Sequence, residues 1–163
     1  PEVAALLEKI VGSFDSGRPG KGLPLGNLTS QLLVNIYMNE FDQFMKHEIK
    51  EKYYVRFADD FVVMDTDRKA LEATLAKISY FLSTNLFLDL HPNKVFIKTF
   101  ASGLDFLGWV NFPDHRVLRT STKRRMSKAL QNNPSYAIAS SYKGMLKHGN
   151  TYNLKKEIPH ILL

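Results

Sequence analysis

Two adjacent carboxylates, Asp59 and Asp60, stand inside an otherwise apolar run, Tyr53-Tyr54-Val55-Arg56-Phe57-Ala58-Asp59-Asp60-Phe61-Val62-Val63-Met64. The β-branched and aromatic residues on either side predict a pair of buried strands. Buried charge is costly unless it is paired or coordinates a metal, and neighbouring carboxylates repel each other. A divalent cation bound by hard oxygen ligands would hold both ionised. Asp is equally at home at a hairpin tip, where its side chain bonds nearby backbone groups. The segment by itself leaves both readings open.

A second unusual segment, Gly22-Leu23-Pro24-Leu25-Gly26-Asn27-Leu28-Thr29-Ser30-Gln31, is a glycine-rich turn feeding a helix N-terminus. Such an end offers unpaired N–H groups and a positive dipole to anions or nucleotides, and glycine lets a ligand approach the backbone closely. Gly and Pro before a helix also serve simply as a loop. Around these segments the periodicity predicts alternating helices and strands. Val3, Leu6, Leu7, Ile10, Val11 and Phe14 give a first amphipathic helix with one core face. A long second helix, capped by Asn27 or Thr29, turns Leu32, Leu33, Ile36, Tyr37, Phe41, Phe44, Met45 and Ile49 inward. Thr66 or Asp67 caps a third helix bearing Leu71, Leu75, Ile78 and Leu82. Strands are expected at Lys94 to Thr99, Leu104 to Val110 and Arg116 to Arg119. Ser121 or Thr122 then caps a helical tail interrupted by Pro134, Gly144 and Gly149.

The 163 residues, 44% hydrophobic and 23% charged, suit a modest globular domain. Without cysteine there is no disulfide framework, thiolate metal site or cysteine nucleophile. Any metal must then be a hard ion on oxygen or histidine, and the five histidines show no metal-ligand spacing. No apolar run approaches the roughly 20 residues of a membrane span. The N-terminus also lacks a basic-then-apolar signal layout, so no membrane partner and a cytoplasmic location are the expectation. The net charge of +6 is uneven: residues 1–115 carry 12 basic and 15 acidic side chains, and residues 116–163 carry 10 basic side chains against Glu157 alone. That tail is suited to a phosphate backbone, or to a solvated helical face. The shift near Thr120 predicts an α+β body over 1–119 and a basic helical region over 120–163.

The motifs in order, Gly22-Leu23-Pro24-Leu25-Gly26 through Ser30-Gln31, a helix with Asn35 and Tyr37, then Tyr54-Val55-Arg56-Phe57-Ala58-Asp59-Asp60, resemble the palm of reverse transcriptases. Phe57 replaces the commoner Tyr of the family's Tyr-(any)-Asp-Asp box. Leu88-Asp89-Leu90-His91-Pro92-Asn93-Lys94 resembles the motif whose lysine lies near the incoming nucleotide, and Phe106-Leu107-Gly108-Trp109 resembles the primer-gripping hairpin. The resemblance implies an α+β polymerase palm, with an antiparallel sheet packed on helices, followed by a small helical thumb. It implies transfer of a deoxynucleotide to a primer 3′-hydroxyl with two Mg²⁺ ions, Asp59 being the firm ligand and Asp60 less central. Leu25, Gly26, Ser30, Gln31 and Lys94 would contact nucleotide or template, and Phe106, Leu107 and Gly108 the primer end. Arg119, Lys123, Arg124, Arg125 and Lys128 would contact the nucleic-acid backbone. The partners would be an RNA template, a DNA or RNA primer and deoxynucleoside triphosphates, with room for an accessory protein.

Leu25-Gly26-Asn27-Leu28-Thr29-Ser30-Gln31 looks most like the enzymes of diversity-generating retroelements; group II intron, retron and phage-defence relatives are the alternatives. The family's other essential aspartate lies on a strand upstream of the glycine-rich segment, whereas only Glu2, Glu8 and Asp15 precede Gly22 here. A chain without fingers or first palm motif, inactive alone and with its third carboxylate supplied from outside, is therefore expected. A non-catalytic nucleic-acid-binding module is the competing reading. Bland roles stand beside the specific ones: Ser30 as a helix cap, Gln31 and Lys94 as solvated residues, Trp109 as core, and Arg56 facing nucleic acid or solvent.

Overall fold

The structure, a computed structural model, describes residues 2–13, 22 and 28–156. Leu25 and Gly26 of the glycine-rich segment lie outside these residues; Gly22 has φ of 104°, a conformation that suits glycine. The chain divides into two compact units, Pro1–Val95 and Phe96–Leu163. Both mix helices with small antiparallel sheets, so the fold class is α+β.

The first unit contains α1 (Glu2–Gly12), α2 (Leu28–Tyr37), α3 (Asn39–Gln43), strands β1 (Tyr54–Phe57) and β2 (Asp60–Val63), and α4 (Arg68–Asn85). The expected long second helix is broken at Met38 and then widens into a π-helical turn over Phe44–Glu48. Phe44 and Met45 both remain buried in that turn. Lys50, with φ of 60°, follows its end. Met38, Phe41, Phe44, Met45, Ile78, Leu82 and Leu86 form the core, and Phe44 stacks on Phe81 with centroids 4.1 Å apart. Asp67 caps α4 by accepting from the Lys69 N–H.

Two expected core faces are not covered by described residues. No residue of α1 is buried, and Leu28, Leu32, Ile36 and Tyr37 of α2 are exposed, so helical periodicity marked apolar stripes without supplying a partner for them. The expected strand at Lys94 to Thr99 is also absent. Lys94 ends a short 3₁₀ turn, Pro92–Lys94, which the His91 ring caps by accepting from the Asn93 N–H.

The second unit is a meander of β3 (Leu104–Phe106), β4 (Trp109–Asn111) and β5 (Arg116–Leu118), followed by α5 (Thr120–Asn132), α6 (Tyr136–Leu146) and α7 (Tyr152–Lys156). Leu107 and Gly108, at φ of 53° and 82°, make the two-residue β3–β4 turn, which needs positive φ at both positions. Trp109, Leu118, Met126, Leu130, Ala139 and Leu146 share one core. The composition shift at Thr120 thus falls inside this unit, because the meander and α5 bury the same apolar surface. Arg119, rather than Ser121 or Thr122, takes the N-cap position of α5. Pro134 separates α5 from α6, whereas Gly144 lies within α6.

Candidate active site

The pairing of Tyr54 with Val63 and of Phe57 with Asp60 sets the register of the β1–β2 hairpin. Ala58 and Asp59 form its two-residue turn, and Ala58 has φ of 53°. Asp59 is therefore a turn residue and Asp60 the first residue of β2, and both are exposed. Of the two placements the segment left open, a buried pair and a hairpin tip, the structure shows the hairpin tip. The strand pair is half-buried on one face, where Tyr54 and Phe61 pack edge-on against Phe41 with centroids 5.9 and 5.0 Å away. The acidic tip projects beyond that packing.

Strand alternation puts Arg56 on the same face as Tyr54, and the guanidinium turns inward instead of facing solvent. Its Nε and Nη2 donate to the two carboxylate oxygens of Asp42 at 2.9 and 2.6 Å. Nη1 donates to the Asn35 side-chain oxygen at 3.2 Å and to the Ala58 carbonyl at 2.7 Å. The Tyr54 hydroxyl donates to Asp42 at 2.7 Å. The Arg56 side chain is only 9% exposed and that of Asp42 24%. The hydrogen bond from Arg56, against the opposing effect of burial, holds the Asp42 carboxyl below its ordinary value. The same hydrogen bond raises Arg56. Burial first, and then donation to Asp42, pushes Tyr54 up.

This cluster was missing from the sequence reading, although its signal was present. Asp42 falls on the helical stripe of Met38, Phe41 and Met45, where an acid requires a partner.

Of the other expected site residues, Ser30 is buried on α2 and Gln31 is exposed on the same helix. Gln31 stands one turn before Asn35, so both share the helix face that Arg56 touches. Lys94 is exposed on its 3₁₀ turn. In the second unit Phe106 and Gly108 are half-buried, and Leu107 is exposed at the hairpin tip. Arg119 is engaged by Asp105, its Nε donating at 2.7 Å. Lys123, Arg124, Arg125 and Lys128 are exposed on α5. Arg124 and Lys128 lie opposite the buried stripe of Thr122, Met126 and Leu130. Trp109 is core.

Two neighbouring exposed carboxylates are the right kind of donor for Mg²⁺, which keeps several waters and accepts substrate phosphates as ligands. Among the described residues no three His, Cys, Asp or Glu side chains gather into a metal-binding group. Asp59 and Asp60 by themselves do not make up such a group. No described helix is long and apolar enough to cross a membrane.

Residues 9–111 match the family described as reverse transcriptase (RNA-dependent DNA polymerase). The chain is also 30% identical over 146 residues to Protein YkfC of Escherichia coli (strain K12). That alignment covers 69% of this chain and 36% of the relative, so the chain spans little more than a third of that protein's length. With the match running through the glycine-rich segment, the Asp59-Asp60 hairpin and the following strands, the chain belongs to the reverse transcriptase family.

Proposed function

We propose that this chain is the later palm and the thumb of an RNA-directed DNA polymerase, and that Asp59 and Asp60 serve nucleotidyl transfer. The observation that carries this reading is the exposed acidic hairpin tip, anchored from behind by Arg56 and lying within the family's ordered motifs. In the reaction the primer 3′-oxygen forms a bond to the α-phosphorus of the deoxynucleoside triphosphate. The bond to the bridging oxygen breaks, and pyrophosphate leaves with its electron pair. Asp59 and Asp60 would hold Mg²⁺, with the third carboxylate supplied from outside this chain. When bound, the ions stabilise the charge on the attacking and leaving oxygens.

Ser30, Gln31 and Lys94, with Leu25 and Gly26, would line the template and nucleotide side, and Phe106, Leu107 and Gly108 the primer side. Arg124 and Lys128, supported by Lys123 and Arg125, would follow the duplex backbone by charge and shape. Arg119, already bonded to Asp105, would contribute less.

The test is Mg²⁺-dependent primer extension on an RNA template. The 163 residues alone are expected to make no product, and the polymerase carrying this segment is expected to lose extension on Asp59→Asn. Activity that survives Asp59→Asn would remove that residue from the metal site, and strong extension by the bare chain would overturn the palm-and-thumb reading. The second reading, a non-catalytic nucleic-acid-binding module, draws on the lack of a three-acid group among the described residues. It predicts hybrid binding without extension in any context. We also propose the diversity-generating type, with Gln31 shaping the template pocket. Gln31→Pro should change the error spectrum at template adenines, and an unchanged spectrum removes Gln31 from fidelity.

A further inference from the structure

One side chain ties three parts of the first unit together. The fork of Arg56 grips both oxygens of Asp42 on α3, while its Nη1 reaches Asn35 on α2 and the carbonyl of Ala58 in the turn. Ala58 carries a positive φ, a conformation disfavoured for any residue with a Cβ, so this turn depends on outside support. The supported group is the peptide between Ala58 and Asp59, whose orientation fixes the direction in which Asp59 leaves the backbone. At 9% exposure the guanidinium is not offered to a nucleic acid, so any effect it has on the reaction passes through the turn.

We propose that Arg56 is a positioning residue for nucleotidyl transfer: it locks the Ala58–Asp59 peptide against α2 and α3, so that the acidic tip meets the reacting phosphates in one orientation. Asn35 extends the lock to the face of α2 that bears Gln31, coupling the template side of the site to its carboxylates. The inference rests on the polymerase reading above.

Arg56→Lys, made in the polymerase carrying this segment, keeps the charge but loses the fork, because an ammonium cannot hold Asp42 through two parallel bonds and reach Ala58 as well. Since a misplacement of about 1 Å can cost on the order of a hundredfold in rate, kcat for single-nucleotide addition should fall roughly tenfold to a hundredfold. KM for the nucleotide and affinity for template–primer should stay near wild type. Amide exchange over residues 57–61 should quicken. Asn35→Ala, at an exposed position, removes one anchor and should give a smaller fall in kcat with the same split, which keeps the test open if Arg56→Lys fails to fold. Arg68→Ala, in an exposed pair with Glu72, should leave all these readouts unchanged.

Wild-type kcat in both Arg56→Lys and Asn35→Ala overturns the proposal, as does a fall in kcat without faster exchange at the turn. A wild-type enzyme with no extension overturns the polymerase reading and this inference with it. Extension that is lost on Asp59→Asn but indifferent to Arg56 and Asn35 overturns only the inference.

Discussion

Replacing Asp42 with Ala isolates the energetic contribution of the cluster behind the acidic turn. The Asp42–Arg56 pair, at 2.6 Å, and the Arg68–Glu72 pair, at 2.8 Å, have similar lengths but very different surroundings. Arg68 and Glu72 are 73% and 51% exposed, and such a pair at i,i+4 on a helix contributes about 0.3–0.5 kcal/mol. Arg56 is 9% exposed, so removing Asp42 strands a guanidinium away from water and also deprives the Tyr54 hydroxyl of its acceptor. Breaking a fully buried pair costs about 3–5 kcal/mol; with Asp42 24% exposed, about 2–3 kcal/mol is the reasonable expectation. With urea m-values of about 1–3 kcal/mol per molar, the midpoint should fall by roughly 1 M. Urea unfolding followed by circular dichroism, with amide exchange over residues 54–63 as the local reporter, reads both quantities. A midpoint shift no larger than that of Arg68→Ala would refute the reasoning. The paired change Asp42→Leu with Arg56→Met should recover much of the loss, because no lone charge remains buried. A double variant as unstable as Asp42→Ala would show that stranded charge is not the cause.

Acid should weaken the same cluster. Because the folded Asp42 value lies below 3.8, its contribution is complete above that value and is lost as pH falls through the folded one. Melting of the wild type should therefore decline more steeply below about pH 4 than melting of Asp42→Asn, and parallel declines would count against the assignment. In the second unit, a Cβ on Gly149 would lie 2.1 Å from Trp109 Cζ3, so Gly149→Ala should cost about 1–3 kcal/mol and shift the tryptophan emission. An unchanged unfolding curve and spectrum would contradict this packing. If Arg124 and Lys128 neutralise phosphates, changing both to Ala should reduce the slope of log K against log salt by about 1.4–1.8 for hybrid binding; an unchanged slope would move the interface elsewhere.

The β1–β2 pair was legible in the sequence because its signal is local: apolar residues on either side of Ala58-Asp59 define strand, turn and strand within about a dozen residues. Around Leu107-Gly108 the pattern gave one strand over Leu104 to Val110, where the chain instead turns between β3 and β4, and only the family resemblance pointed to a hairpin. The cap of α4 rests on Asp67, one of the two residues expected there, whereas Ser135, which caps α6, was not singled out. Failures came where long-range packing decides. Periodicity rightly turned Phe44 and Met45 inward but carried the second helix unbroken to Ile49, whereas the chain breaks at Met38 and widens into a π turn over Phe44–Glu48 that no local pattern announces. It also gave Leu32 and Ile36 the same weight as Phe41, although Phe41 is buried against the rings of Tyr54, Phe61 and Phe81 while Leu32 and Ile36 stay exposed.

The acidic pair shows the same division between local signal and tertiary context. Buried carboxylates would need a cation for the fold to exist, and metal binding would then follow from stability alone. Exposed carboxylates at a hairpin tip need none, so under the proposed function any ion at Asp59 and Asp60 would serve the reaction rather than the fold. The buried charge lies instead one layer behind, in Arg56 and Asp42, where each satisfies the other. On the proposed reading, stability and chemistry fall to different side chains. Substituting Asp59 should cost activity with little loss of stability, whereas substituting Asp42 should cost stability first and disturb activity through the turn that Arg56 holds.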